Sequence, residues 1–162
     1  MEKFKYTSFW DRLFAGIVDG IVFIPLGIIQ LYFLDVDSPQ TAFFIVALVN
    51  AALFYGYSII MHHKFGQTLG KMALSIKVID EDEETMNITL KQAFLRDCIP
   101  LAFDLIIFTT ALVSLVRTDH FDDSYFDLPE TIWFLVELIT MMTNSKRRAA
   151  HDFLAKTVVV KL

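Results

Sequence analysis

The sequence lacks several features that commonly define small proteins. It contains a single cysteine, Cys98, which excludes a disulfide framework within the chain and a metal site of paired thiolates. A signal peptide is not indicated either. The apolar run after the basic N-terminus is long, contains charges and lacks a small-residue cleavage site. We therefore expect the first apolar helix to remain in the mature protein.

Charge is also scarce over long stretches, and residues 41–61 have no charged side chain. Hydrophobic residues make up 55% of the 162 residues and the mean hydropathy is +0.51, too apolar for an ordinary soluble domain. A helix needs about 20 residues to cross the hydrocarbon core. We predict an all-α membrane protein, a four-helix transmembrane bundle with a small cytoplasmic β element. The predicted helices cover approximately 9–34, 41–62, 94–116 and 128–145, and the fourth reaches spanning length only with its flanking residues.

Basic residues are almost absent from two of the connecting segments. Of the 14 lysines and arginines, only Arg117 lies in the loops that join helix 1 to helix 2 and helix 3 to helix 4. The others lie in the N-terminal segment, in or beside the 63–93 loop, and in the C-terminal segment 146–162. Because loops rich in Lys and Arg stay in the cytoplasm, both termini are predicted to be cytoplasmic. Residues 1–162 are predicted to form one transmembrane domain.

Two short segments outside the apolar stretches have the pattern of strands. Residues 74–80 alternate apolar and polar side chains over their first five positions, and residues 157–161 are rich in valine. We predict that they pair with each other beneath the bundle. Thr89 and Gln92 fit a capping box, which predicts a helix that continues into the third span. The segment 66–71 looks like a phosphate loop but is one residue short and has no Ser or Thr after its lysine, so we reject that interpretation.

Acidic side chains interrupt the apolar stretches at Asp19, Asp104 and Glu137. A charge inside a membrane-spanning helix is costly and suggests a functional site. Arg12 precedes Asp19 by seven residues, two helical turns, so both lie on one helix face. On a straight helix their side chains are too far apart for direct contact, so Arg12 could either reach down the helix towards Asp19 or pair with Asp97 on the third helix.

Small and polar residues also suggest contacts between helices. Gly16 and Gly20 form a G-x-x-x-G pair, which either allows another helix to approach closely or is simply tolerated. Asn50, near the middle of the second span, is expected to form an interhelical hydrogen bond. These three residues are the predicted packing residues of the bundle.

The first and third helices resemble each other in sequence. Residues 9–23 align with residues 94–108 without a gap, and the alignment matches Asp19 with Asp104. It also places Asp11-Arg12 opposite Arg96-Asp97, in reversed order. This suggests a parallel repeat of helices 1–2 and 3–4. The alternative is that two apolar segments align by composition alone.

The sequence contains no pattern typical of an enzyme or of a metal site. His62-His63 has no third ligand nearby, and the acidic run 81–84 lacks the spacing and the glycine of a calcium loop. His151-Asp152 stands at no spacing that would join it to a nucleophile. We therefore expect no metal, no cofactor, no enzymatic activity and no nucleic-acid partner.

Four features in this order resemble the RDD family of bacterial membrane proteins: Arg12 with Asp19, residues 66–80, residues 95–97 and residues 148–160. The family is named for one Arg and two Asp. Arg12 and Asp19 match the first two, and Asp152 is chosen over Asp97 for the third. Lys156 departs from the pattern, which has glycine there. The resemblance implies a compact inner-membrane protein, and for some members monovalent cation/proton antiport has been proposed.

Two hypotheses follow for the buried polar residues. In the first, the protein is a transporter in which Asp19 takes up and releases a proton or cation, within an interior completed by Asp104 and Glu137. Four helices are few for a transport path, so a homodimer is expected in the bilayer. In the second, the protein is an accessory or assembly module, and Asp19 and Asp104 pair with Arg12 and Arg96 as locks between helices. The transporter is the preferred hypothesis.

Overall fold

The computed structural model describes residues 5–34, 38–82, 87–118 and 127–162. Long helices dominate this part of the chain, and short helices and strands connect them. In chain order the elements are β1 (Lys5–Tyr6), α1 (Phe9–Phe33), α2 (Gln40–Phe65), α3 (Leu69–Ala73), β2 (Ile76–Asp80), α4 (Leu90–Thr118), α5 (Asp127–Thr143), α6 (Ala150–Ala155) and β3 (Thr157–Lys161). The predicted class, a mostly helical membrane protein with a small β element, is confirmed.

The number of full-length spans differs from the prediction. Within the described residues, three segments are long and apolar enough to cross a bilayer: Phe9–Gln30, Gln40–Phe65 and Leu90–Arg117. The fourth predicted helix forms as α5, but it has 17 residues and its apolar part is only Thr131–Thr143. This length is below the roughly 20 residues that a perpendicular crossing requires. The count of four full-length spans is therefore corrected to three, with α5 as a shorter apolar helix.

The strands form one antiparallel sheet in the order β1-β3-β2. The predicted pairing of residues 74–80 with residues 157–161 is confirmed, with Val78 opposite Val159 in the register. The sequence did not suggest β1, which pairs with the other edge of β3 through Lys5 and Tyr6. The N-terminal strand, the middle loop and the C-terminal strand consequently lie at the same end of the helices.

The sheet packs against the ends of α1 and α4 that lie beside it. Side chains from both sheet and helices form one buried cluster, which contains Ala15, Ile76, Val78, Ile88, Ala93 and Val159. At 1.5 Å per residue, the 25 residues of α1 extend about 37 Å, more than the roughly 30 Å of a hydrocarbon core. We call β1–β3, α3 and α6 the cap, because these elements cover the excess length of the helices.

Local sequence signals explain where the elements begin and end. The predicted capping box is confirmed. The backbone N–H of Gln92 donates to Thr89 Oγ1 at 3.2 Å, and the backbone N–H of Thr89 donates to Gln92 Oε1 at 2.9 Å. Gly66 ends α2 with φ +69°. Lys156 ends α6 with φ 52°, in the left-handed region that favours glycine. The expectation of glycine at this position therefore has a conformational basis.

The backbone of α3, in the cap, lies very close to the backbone of α1. A Cβ atom built on Gly70 of α3 would lie 2.0 Å from the Ala15 carbonyl oxygen and 2.9 Å from Asp19 Cγ. No side chain fits at that separation. Gly70 thus allows α3 to lie directly on α1.

We predict that Gly70→Ala separates α3 from α1 and lowers the free energy of unfolding by at least the roughly 1–3 kcal/mol typical of overpacking. Denaturant unfolding in detergent would measure this loss. Gly56→Ala is the matched control, because a Cβ there has no neighbour within 4 Å. Equal stability of the two variants would contradict the close contact.

Candidate functional site

A buried carboxylate, Asp152, lies between two arginines from different helices. Arg12 Nη1 of α1 is 2.5 Å from Asp152 Oδ2, and Arg96 of α4 forms an ion pair with Oδ1. The side chain of Asp152 is 0% exposed. Thr157 Oγ1 accepts from Arg96 Nη1 at 2.6 Å, and the Ala149 N–H donates to Asp152 Oδ2 at 3.0 Å. We call Arg12, Asp152 and Arg96 the triad.

The triad joins elements that are far apart in sequence. Arg12 also donates to Thr7 Oγ1 at 3.1 Å and to the Arg147 carbonyl at 2.9 Å, so each of its three guanidinium nitrogens has a protein acceptor. Burial opposes the ionisation of Asp152, but the positive charges of Arg96 and Arg12 outweigh it and hold the pKa of that carboxyl well below its usual range. Asp152 is therefore an anion that ties α1, α4 and α6 together.

Asp19 is satisfied by neutral donors and not by an arginine. Its carboxylate accepts from Tyr57 OH of α2 at 2.8 Å, from Thr68 Oγ1 at 2.6 Å and from the Gly70 N–H at 2.8 Å. Only 8% of Asp19 is exposed. Two of the three donors belong to the cap, so Asp19 marks the level that the cap reaches along α1.

Next to Asp19, Lys71 of α3 contacts a neutral partner. Lys71 Nζ lies 2.8 Å from His62 Nε2, and His62 Nδ1 lies 2.8 Å from the Ser58 carbonyl. A carbonyl can only accept, so His62 Nδ1 is assigned the proton and Nε2 accepts from the ammonium. Burial, helped by the positive charge of Arg96, lowers the pKa of Lys71 to about 8.

The third acidic residue predicted from sequence, Glu137 of α5, pairs with the cap. Its Oε1 contacts His151 Nδ1, and His151 Nε2 lies 3.1 Å from Arg96 Nη2. Because guanidinium nitrogens only donate, His151 Nε2 accepts and Nδ1 donates to Glu137. This chain of contacts connects α5 to the triad.

These groups surround one cavity of about 230 Å³. Its polar lining consists of Arg12, Asp19, Lys71, Arg96, Glu137 and His151. We call it the cap cavity. Of the predicted site residues, Arg12, Asp19, Arg96 and Glu137 line it, and Asp152 lies buried beside it.

Asp104 and Asn50 lie further along the helices. Tyr55 OH of α2 donates to Asp104 at 2.8 Å, and the amides of Asn50 and Gln30 exchange two hydrogen bonds of 2.7 and 2.8 Å. The predicted interhelical bond of Asn50 is therefore present. A second cavity, of about 360 Å³, is lined by Asn50, Tyr55 and Asp104.

The ion pairs that the sequence suggested for Arg12 and Arg96 are wrong, because the arginines bind a different carboxylate. Neither Arg12–Asp19 nor Arg96–Asp104 forms among the described residues, because both arginines converge on Asp152. The pairing of Arg12 with Asp97 is also absent there, and Asp97 Oδ2 is buried without a hydrogen-bond partner. The carboxylate that binds the arginines comes from the C-terminal segment, about 140 residues after Arg12.

The other two predicted packing residues, Gly16 and Gly20, have open space where a side chain would stand. A Cβ built on Gly16 or Gly20 would meet nothing within 4 Å. The described part of the chain also contains no group of three His, Cys, Asp or Glu side chains that could hold a metal ion. Sequence reasoning missed Tyr57, Thr68 and Lys71. The segment 66–71 was weighed as a phosphate loop and as part of the family pattern, and neither interpretation gave Thr68 or Lys71 a role.

Comparison with known proteins places this arrangement in a family. A model of the RDD family matches residues 6–156. The chain belongs to the RDD family. This RDD protein is also 24% identical over 161 residues to the uncharacterized membrane protein YteJ of Bacillus subtilis (strain 168), covering 96% of this chain and 80% of YteJ. No solved structure matches the chain.

We predict that Asp152→Asn lowers the free energy of unfolding by about 3–5 kcal/mol at pH 7, because it leaves two buried arginines without an anion. The native protein should keep this contribution at neutral pH and lose it as the pH falls through the depressed pKa of Asp152. Denaturant unfolding at several pH values would measure both effects. Asp82→Asn, an exposed loop carboxylate, is the control. A loss no larger than that of the control would contradict a structural role for the triad.

Lys71 should make stability rise with pH on the alkaline side. Between about 8, its pKa in the folded protein, and about 10.4, its ordinary value, the unfolded chain binds more protons than the folded one. Folding therefore becomes more favourable as the pH increases through this range. Lys71→Met should remove this rise in an unfolding titration, whereas Lys91→Met, at an exposed position, should keep it. A rise that survives in Lys71→Met would refute the assignment.

Proposed function

We propose that this RDD protein is a non-enzymatic transporter of the bacterial inner membrane that exchanges a monovalent cation for protons. Two carboxylates within the long apolar helices support the proposal. Asp19 and Asp104 each accept a hydrogen bond from a tyrosine of α2, and each lines a cavity. Polar cavities with ionisable residues at membrane depth are typical of ion and proton pathways.

The chemistry of these two sites suits exchange. An ionised carboxylate supplies hard oxygen ligands for a small cation, and a protonated carboxyl is neutral and releases that cation. The tyrosine hydroxyl can donate to the ionised form or accept from the protonated form. Each site can thus hold either a cation or a proton.

Among the described residues, two cavities border α2, and the cap cavity lies between α1 and α5. The cap cavity borders Asp19, the second cavity borders Asp104, and a third of about 400 Å³ lies between α2 and α4, where Gln40 and Phe44 face Leu115. The Gln30–Asn50 pair borders the second cavity through Asn50. Polar side chains at Asp19, Asn50 and Asp104, in three different helices, support passage of an ion through the apolar layer.

Orientation and assembly form part of the same proposal. The cap brings together the basic N-terminal, middle and C-terminal segments, and the bias of basic residues towards this end favours a cytoplasmic cap. Gly16 and Gly20 leave a helix face open, which supports a homodimer in which a second copy completes the path.

One observation favours the alternative of an accessory or assembly module. Arg96 and Asp152 are buried, and the charges of the triad have protein partners, as in a structural lock. In that case the cap would be a rigid platform for a partner, and Asp19 would simply fasten α3 to α1.

The test is cation-driven proton flux in liposomes containing the purified protein, measured for Na⁺, K⁺ and Li⁺. We expect exchange with at least one cation, and we expect Asp19→Asn and Asp104→Asn to slow it at least about tenfold, equivalent to about 1.4 kcal/mol in the barrier. Asp82→Asn is the matched control, because it removes a carboxylate outside the cavities. Absence of flux with all three cations would reject antiport. Wild-type flux in a folded Asp19→Asn variant would instead favour the lock.

A further inference from the structure

Asp104 lies near the middle of the third membrane-length segment, Leu90–Arg117. At 1.5 Å per residue it is about 20 Å along the helix from either end. One of its oxygens, Oδ2, accepts from Tyr55 OH at 2.8 Å, and in the part of the chain that the structure describes Oδ1 has no hydrogen-bond partner. No Lys, Arg or His of the described residues forms an ion pair with Asp104. It is thus a carboxylate within a long apolar helix that has one neutral partner.

The second cavity, of about 360 Å³, adjoins this carboxylate. Three aromatic rings stand in its wall. Phe23 of α1 and Phe54 of α2 meet edge to face with ring centroids 5.7 Å apart, and Phe54 and Tyr55 meet in the same way, also at 5.7 Å. The apolar lining is completed by Leu26, Gly27 and Ala51. The cavity therefore combines one acidic group with aromatic and aliphatic surface.

Few side-chain oxygens line this cavity. Besides the carboxylate of Asp104 it contains the hydroxyl of Tyr55, which donates to Asp104, and the amide of Asn50. The oxygen of that amide already accepts from Gln30 Nε2 at 2.7 Å. A small hard cation requires a shell of oxygen ligands in place of its water. The side chains of the described lining do not supply such a shell, so the cavity suits a cation of a different kind.

A substituted ammonium ion matches each part of the lining. Its positive charge offsets the carboxylate of Asp104 and is attracted to the faces of aromatic rings. Its apolar substituents gain free energy by burial against Phe23, Phe54 and Leu26. The volume of the cavity also lies within the roughly 300–1,000 Å³ of small-molecule sites, which is far more than one inorganic ion fills.

We propose that the second cavity binds a monovalent organic cation, a substituted ammonium whose nitrogen pairs with Asp104 and whose apolar substituents lie among the aromatic rings. This inference goes beyond the exchange of inorganic cations proposed above. It assigns a ligand to the cavity, and equilibrium binding requires no transport. The cap cavity and Asp19 take no part in this site.

The test is equilibrium binding of radiolabelled benzyltrimethylammonium to the purified protein in an uncharged detergent, measured by scintillation proximity. We expect saturable binding to the wild type, weakened at least about tenfold by Asp104→Asn, because the variant keeps the shape of the side chain and loses its charge. Asp82→Asn, which removes an exposed loop carboxylate, is the matched control and should bind as the wild type does. Neopentylbenzene, in which carbon replaces the nitrogen, should not compete.

A second pair of variants tests the cavity itself. A Cβ built on Gly27 or on Gly56 would meet nothing within 4 Å, so a larger side chain has room at both positions, but only Gly27 lines the cavity. We expect Gly27→Leu to weaken binding at least about tenfold by filling the site, and Gly56→Leu to leave it unchanged.

A wild-type protein that does not bind benzyltrimethylammonium saturably would overturn the proposal. Unchanged affinity in folded Asp104→Asn, effective competition by neopentylbenzene, or an equal loss in Gly27→Leu and Gly56→Leu would do the same. Displacement that differs among Na⁺, K⁺ and Li⁺ chlorides at equal ionic strength would assign the cavity to an inorganic ion and overturn it as well. Absence of cation-driven proton flux does not affect this binding, so the two proposals can fail separately.

Discussion

The fold depends on one anion, Asp152, held between two arginines in a place that water does not reach. Each arginine belongs to a long helix, and the aspartate belongs to the short α6 that leads into the central strand. Removing Asp152 would leave both arginines without an anion, so the aspartate is the member on which the other two depend. The cap and the membrane helices are in this sense a single cooperative unit and not two modules joined by a linker.

The same constraint changes the meaning of Asp19. As a lone carboxylate in an apolar helix it suggests a group exposed to lipid at great cost, but the cap supplies two of its three hydrogen-bond donors. Gly70 makes this possible, because only glycine lets the backbone of α3 come so close to α1. The hydrogen bonds from the cap thus give this carboxylate polar partners at a depth where no counter-ion is in direct contact with it.

Much of the architecture was predictable from sequence, whereas the pairing of charges was not. Hydropathy identifies the spans and alternation identifies the two long strands, because both are periodic over many neighbouring residues. The partner of Arg12 lies about 140 residues away and has no periodic signature. The prediction that α5 reaches spanning length is wrong, because the polar residues that flank it do not lengthen its apolar part, Thr131–Thr143. Lys71 escaped notice because its importance comes from burial beside His62, a property of the folded chain alone.

The strand order also has a consequence for biosynthesis. The central strand β3 is made after both of its neighbours, and Asp152 is made after both arginines. While the ribosome is still producing the C-terminal segment, α1 and α4 must therefore enter the bilayer with Arg12 and Arg96 uncompensated. The nascent chain passes through a stage in which the helices are inserted but the cap is open. A protein truncated before α6 would lack the anion of both arginines and the central strand, and its unpaired strand edges would make it prone to aggregation.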